Sequence, residues 1–394
     1  TKPELRETPI RTRTITTAPE AARALSLSTE SRRGIDPVMK PVHVRDILRF
    51  MDQWAPPGVK LDYDNVGLLA GDGNRPVSGI LVSLDTTEEI VDEAVETGAD
   101  LIVSHHPLLF KPLRSITPDT AIGRILTRLL SENISLIAAH TNLDAALDGV
   151  SFALANEIGL DDLSFLDSGY AIRRKIRLTT THTDGDEILR LLNYHSGEEA
   201  HYWELDGKKG RLKCFEAVLD HHHVRPLMAA LEKANLLRGG TLQEVALQNP
   251  TGNFGMGVIG TYPSPGIAPE EFLHLIGRTL RTPAVRHSGR PERIRNVAVC
   301  GGAGASLIPK AVRAGVDAYV TSDLKYHDFF QDSDSTMLVD VGHYESEFPI
   351  VDVIRNELAQ AFETVPVRST QRVTNPIRTF ISTVPSPHET GGST

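Results

Sequence analysis

Two cysteines in 394 residues leave nothing from which to build a disulfide framework, and Cys214 and Cys300 lie far apart. Such usage fits a reducing compartment. An excess of positive charge is also absent: 51 acidic against 41 basic side chains give a formal net charge of −10. That excludes a globally basic nucleic-acid binder but leaves a local groove open. No apolar run is long enough to span a bilayer, no signal-peptide h-region opens the chain, and no short internal repeat occurs. The expectation is a cytoplasmic, membrane-free protein. At this length two or more domains are expected. Residues 1–38, rich in Thr, Arg, Pro and Ser and poor in large apolar side chains, are expected to form a disordered, dispensable tail.

From "MKPVHVRDIL" onward strands and helices alternate, and Val44, Ile47, Leu48 and Met51 mark one helical face. Strands are expected at 78–85, 99–107 and 134–144, with helices at 88–98 and 121–133. The rhythm returns at 295–304, 305–315, 316–323 and 335–343, followed by a helix from about Glu345 to Glu363. Continuous apolar strands between amphipathic helices predict parallel-rich sheets covered on both faces. Between these halves, 174–181, 186–196, 200–205, 211–220, 224–235 and 242–248 read as β-α-β-β-α-β, the ferredoxin-like order. The fold class is therefore α/β, with two interleaved halves forming a three-layer core (39–169 and 251–394) and an inserted ferredoxin-like domain at 170–250.

Three strand ends carry ligand-type residues, where such groups collect in α/β proteins. They are His105 and His106 of "SHHP", His140 and Asp144 of "HTNLD", and Asp340, His343, Glu345 and Glu347 of "DVGHYESE". Two adjacent imidazolium rings would repel, so the His105–His106 pair makes sense if both rings stay neutral and donate lone pairs. His343 and Glu347, at i and i+4, share one helical face. Imidazoles with carboxylates suit Zn, Mn, Fe or Co. Five ligands exceed one open catalytic site and suffice for two ions if Glu347 bridges them. Weaker signals are the Gly-rich turn "CGGAG", read as a tight strand-to-helix turn or a phosphate cradle, and Cys300 within it, read as a core residue. The His221–His223 run reads as a solvated loop. Arg173, Arg174, Lys175 and Arg177 read as a solvated face, and Asp64 and Asn65 as shaping a turn near the site.

"YDNVGLLAG" (63–71), "SHHP" (104–107), "HTNLDAA" (140–146), "GGAG" (301–304), "TSDLKYHD" (321–328) and "GHYESE" (342–347) resemble the Nif-three-like dinuclear metal-centre family. Its members often carry the name GTP cyclohydrolase 1 type 2 homologue. The resemblance covers about 39–169 and 252–384. It implies two divalent ions per chain held by His105, His106, Asp144, His343 and Glu347, a toroidal homohexamer, and a PII- or CutA-like insert. It departs at Ser322, where the family has Gly, and in the insert, where "YHSGEEAHYWEL" only partly echoes the family pattern. The function it implies is metal-dependent hydrolysis of a nucleotide-like small molecule, GTP ring opening with formate release being the specific case. Lys325 would contact the triphosphate and His327 would transfer a proton. The competing expectations are a non-enzymatic metal-binding regulator or adaptor and a ring that binds single-stranded nucleic acid, the latter disfavoured by the charge.

Overall fold

α1 (Val44–Trp54) buries Val44, Ile47 and Met51, the stripe its periodicity marks. β1 (Gly67–Ala70) follows, then β2 (Ile80–Ser83), α2 (Glu88–Thr97), β3 (Leu101–Ser104), α3 (Ala121–Ser131) and β4 (Ser135–Ala138). The computed structural model describes residues 41–380 except 169–172, 182–183, 197–198, 208–209, 248–252 and 332–334. The 1–38 tail lies outside the described residues. Helix boundaries follow local chemistry. The Thr87 and Thr120 hydroxyls accept the free N–H groups of Ile90 and Gly123. Gly98 ends α2 at φ 70°, a conformation side chains disfavour. β4 stops earlier than expected: residues 141–144 coil into the single turn α4 (Thr141–Asp144), with Asp144 N donating to His140 O at 3.0 Å. α5 (Val150–Glu157) and β5 (Asp161–Asp167) complete this half.

The inserted unit, residues 172–251, is built from β6 (Arg173–Thr180), α6 (Gly185–Ser196), β7 (His201–Gly207), β8 (Gly210–Asp220), α7 (His221–Lys233) and β9 (Thr241–Ala246). Its antiparallel sheet has the order β7-β8-β6-β9, the ferredoxin-like arrangement. Ile176, Leu178, Phe215, Ala217 and Leu219 pack beneath Ile188, Leu192, Leu227 and Leu231 of the two helices. The basic run of β6 is paired rather than simply solvated: Lys175 and Arg177 reach Glu216, and Arg174 reaches Glu244. His221–His223 form the first turn of α7, not a loop, because the chain leaves β8 at extended Asp220 and begins the helix at once.

The core resumes with β10 (Met256–Thr261), α8 (Pro269–Thr279), β11 (Arg286–Ser288), β12 (Asn296–Ala303), α9 (Ile308–Arg313), β13 (Ala318–Ser322), β14 (Met337–Asp340), α10 (His343–Glu347), α11 (Pro349–Ala361) and β15 (Val367–Ser369). The expected long C-terminal helix is thus two helices. Pro349, with no N–H to donate, starts the second.

The core has two sheets, ordered β1-β4-β3-β2-β15 and β11-β14-β13-β12-β10-β5. β2, β3, β4 and β15 run parallel in one, and β12, β13 and β14 in the other. The halves interleave: β15, the last strand among the described residues, pairs with β2, whereas β5 of the first half pairs with β10. Helices cover each sheet on both faces. Leu81, Ile102 and Leu136 pack on α2 and α3, and Val82, Val103 and Ile137 on α1, α5 and α11. In the second sheet Val297, Val299 and Val320 face Phe152 and Phe272, while Ala298, Cys300 and Tyr319 face Ile308 and Ala311. Among the described residues no helix is long and apolar enough to cross a membrane.

Candidate metal centre

The parallel strands of both sheets stop at one place in the core, and the ligand-type residues follow their last residues. His105 N and His106 N still donate to Ser83 O and Leu84 O, at 3.1 and 2.8 Å, so the pair is set by the β2–β3 ladder. His140 and Asp144 flank the turn after β4. His343 and Glu347 open and close α10, after β14.

These groups converge as overlapping triads. His105, Asp144 and Glu347 form one, His106, His343 and Glu347 a second, and His105, His106 and His140 a third; each could hold a metal ion. Glu347 belongs to two of them through different oxygens. Its Oε1 lies 3.9 Å from His105 Nε2, while Oε2 lies 2.9 Å from His106 Nε2 and 3.1 Å from His343 Nε2. His105 Nε2 is 3.6 Å from Asp144 Oδ1. Two ligands about 2.0–2.1 Å from a tetrahedral ion stand roughly 3.3 Å apart, which these separations bracket.

All four imidazoles are oriented in the same manner. Nδ1 of His105 is 2.8 Å from Ala139 O, that of His106 2.8 Å from Asp85 Oδ1, that of His140 2.9 Å from Asp64 Oδ1, and that of His343 2.8 Å from Asp323 Oδ2. An Nδ1–H donated outward leaves Nε2 with its lone pair toward the centre, the arrangement a metal-ligating histidine requires. Lone pairs of imidazole and carboxylate then face one another. His105 Nε2 and Asp144 Oδ1 are buried with no hydrogen-bond partner, whereas Glu347 Oε2 is reached by His106 and His343. Such a cluster is costly unless a cation joins it. The residues therefore fit a divalent ion.

Electrostatics point the same way. Burial would lower His106, but the Asp85 and Glu347 carboxylates push it up to about 10. Glu347 and Asp323 raise His343 to about 9 despite burial. Burial drives His105 down to about 3, leaving it neutral. Burial and the Glu347 charge raise Asp144 well above the ordinary carboxylate range. Burial would also raise Glu347, but the neighbouring imidazoles hold its carboxyl well below that range. The centre attracts positive charge, as protons or as metal.

The Gly-rich turn has a definite use here. Gly302 sits at φ 64°, and a Cβ there would stand 2.2 Å from Glu347 Oε1. Its N–H donates to Ser346 Oγ at 2.9 Å, and its carbonyl accepts from Thr321 Oγ1 at 3.0 Å. Gly302, near the end of β12, gives the carboxylate room, and both its backbone polar groups are taken by protein. Cys300 is buried there, its thiol pushed up to about 12 by burial, as befits a core residue. Ser322 is accommodated because the left-handed residue is its neighbour Asp323, at φ 58°.

Other sequence candidates fall elsewhere. Asp340 is buried in an ion pair with Arg286 and accepts Leu324 N at 3.0 Å, so it braces the β13 and β14 ends. Glu345 accepts from Asn375 Nδ2 at 3.0 Å. Lys325 and His327 are exposed on the 3-10 turn after Asp323 and belong to none of the triads found among the described residues. Asp64 does more than shape a turn: it holds His140 and accepts Thr141 N at 3.0 Å and Thr141 Oγ1 at 2.5 Å. Asp85 joins the site through the fold rather than through any motif of its own. β2 and β3 pair in parallel with Ser83 opposite Ser104, which sets residue 85 beside His106.

The family model for Duf34/NIF3 (NGG1p interacting factor 3) matches residues 42–376. The chain belongs to the Duf34/NIF3 family. Among curated relatives, a Halalkalibacterium halodurans protein is 31% identical over 339 residues, covering 77% of this chain and 89% of its own length. A Mycobacterium leprae protein is 32% identical over 352 residues, covering 80% and 91%. Both bear the name GTP cyclohydrolase 1 type 2 homolog. Among solved structures, Staphylococcus aureus protein SA1388 superposes with a TM-score of 0.71 at 28% identity, covering 87% of this chain and all of that one. A Bacillus cereus protein related to NIF3 gives 0.67 at 27%, covering 86% and all of its own chain.

Proposed function

We propose that this Duf34/NIF3 protein is a dinuclear metal-dependent hydrolase acting on a nucleotide-like substrate. The observation that carries the reading is the pair of triads sharing Glu347, one through each carboxylate oxygen. His105 and Asp144 would hold one ion, His106 and His343 the other, with Glu347 common to both. Two bound divalent ions would lower the pKa of a shared water toward neutrality and stabilise the oxyanion that hydrolysis develops. The chain supplies the rest. Ala139 O, Asp85, Asp64 and Asp323 keep four imidazoles turned inward, and the buried walls around His105 and Glu347 exclude bulk water. Lys325 contacts substrate phosphate, and His327 moves a proton at its imidazole, both from the exposed turn after Asp323.

The relatives' name makes GTP the first substrate to test, with hydrolytic opening of the imidazole ring and release of formate. Zn, Fe, Mn and Co are the candidate metals. The protein is expected to act in the cytoplasm as a homohexamer. The test is a nucleotide panel assayed for formate and phosphate release with chelator-stripped protein, protein reloaded with each metal, and Glu347→Ala. Turnover that appears on reloading and is lost in Glu347→Ala supports the reading. Loaded protein that turns over no nucleotide overturns it in favour of a metal-binding regulator.

A further inference from the structure

After β15 the chain stays on the core as a strap, residues 370–378, tied to α2 and to two residues beside the centre. Thr370 Oγ1 donates to the buried Glu93 carboxylate of α2, and Gln371 N donates to the same group at 2.8 Å. Thr374 Oγ1 donates to Asp85 Oδ2 at 2.5 Å. Asn375 Nδ2 donates to Glu345 Oε1 at 3.0 Å, within the helix that carries His343 and Glu347. Asp85 is thus held at both oxygens, Oδ1 by His106 Nδ1 at 2.8 Å and Oδ2 by Thr374. A carboxylate turns easily about its last torsion, whose energy profile is broad. A hydrogen bond on the far oxygen fixes its plane, and with it the direction in which the near oxygen holds the imidazole.

We propose that Thr374 is a positioning residue of the metal centre. By fixing the Asp85 carboxylate it aims His106 Nε2, and so tunes the ion held by His106, His343 and Glu347 while leaving the His105–Asp144 ion alone. The inference rests on the two-ion reading above. It joins distant parts of the chain: the segment after β15 adjusts a ligand set by β3.

The test is a cobalt(II) titration of metal-stripped full-length protein, followed by visible absorption and chelator competition, with melting temperature as the fold control. Wild type takes up two equivalents. Thr374→Val, which keeps shape and loses the hydroxyl, weakens one equivalent about tenfold and leaves the other unchanged, a loss at the low end of that seen when a ligand's hydrogen-bond partner is removed. Thr374→Ser, which restores the donor, recovers the affinity. Asp85→Asn weakens the same equivalent, and the double variant is no weaker than Asp85→Asn alone, because the two act through one path. Wild-type binding of both equivalents by Thr374→Val overturns the proposal, as does equal weakening of both. A Thr374→Val effect that persists in full on the Asp85→Asn background overturns the path through Asp85. Wild type that takes up no cobalt overturns the two-ion reading itself, and this inference with it.

Discussion

His105, His106, His140 and His343 in the core, and His195, His221, His222 and His223 in the ferredoxin-like unit, are the same residue type at similar crowding. Ring centroids of neighbours stand 4.9–5.4 Å apart in the first group, and in the second His223 stands 4.2 Å from His222 and 6.1 Å from His195. Their surroundings differ. Three of the core rings have Nδ1 on a carboxylate and the fourth on a carbonyl, and the ring edges meet Asp144 and Glu347. In the insert His221 receives a hydrogen bond from Arg174, the charges of His221 and His223 act on His222, and the Asp220 carboxylate acts on His223. The titration directions separate accordingly. His106 and His343 rise to about 10 and 9, whereas burial and the neighbouring imidazoles lower His222 to about 4. Among the described residues the histidines of the insert join no group of three ligand atoms that could hold a metal ion, although they are as crowded as those of the core. Acceptors that orient the rings, with carboxylates that share the cation, set the core group apart.

The comparison breaks most completely at the residue shared by both triads. Glu347→Ala is expected to remove both metals together, because each ion loses a carboxylate oxygen. Elemental analysis finding two metals per chain in that variant would end the bridging assignment. Gly302→Ala should approach the same result without touching a ligand, since the new methyl occupies the place of Glu347 Oε1 and the backbone sits at φ 64°. Full metal content in Gly302→Ala would show that the carboxylate has room the geometry denies it.

Asp144→Asn should act on one side only. The amide keeps an oxygen but loses the charge, so the ion shared with His105 weakens by an order of magnitude or more while the His106–His343 ion stays. Stepwise metal titration reads the difference, and equal affinities for both ions would remove Asp144 from the ligand set.

Proton linkage sharpens the contrast without mutation. In metal-free protein His106 and His343 have folded values above the ordinary 6.5. Their contribution to stability is full below about 6.5 and is lost as pH rises through 9 to 10. His222 runs the other way. Its folded value lies below 6.5, so the fold retains the neutral ring, and stability is lost as pH falls from about 6.5 toward 4. Neutral His105 adds an acid-side loss in the core as well, so the alkaline window is the discriminating one. Hydrogen exchange should show β3 losing protection between pH 7 and 10 while β6 does not, and metal loading should abolish that loss. Parallel alkaline loss in both sheets would contradict the assignment of the shifts.

Much of this was legible in the chain, for identifiable reasons. Apolar strands such as "ILVS" and "LIVS" are buried throughout, so their composition alone announced covered parallel sheets. His343 and Glu347 lie on one helical turn, as their spacing required. The insert's β-α-β-β-α-β order survived because each segment is amphipathic with its own period. Legibility failed where the cause is tertiary. Asp85 and Thr374 are 289 residues apart and meet only because β15 closes on β2. Gly302 reads as a turn residue in sequence, and only the folded chain shows the carboxylate that fills its missing side chain. The break before Pro349 is hidden in the sequence because the apolar period runs through it.

The smallest expected effect is the removal of the insert, which tests whether the two regions are chemically separate. β5 and β10, the strands on either side of it, are antiparallel neighbours in the second core sheet, with Asp167 opposite Met256. A short turn of hairpin type can therefore join residue 168 to residue 253 without moving either strand. The closure entropy released or required by changing loop length is small. None of the five proposed ligands lies in 172–251, and neither do Asp64, Asp85, Asp323 or Thr374, which orient or brace them. Metal content of the deletion variant, measured once it is shown to be folded, should equal that of the whole chain. Activity is a separate readout and can fall if the insert takes part in substrate handling. A folded core that has lost both metals would mean that the insert supplies ligands or their support, and the separation drawn from the two groups of histidines would no longer stand.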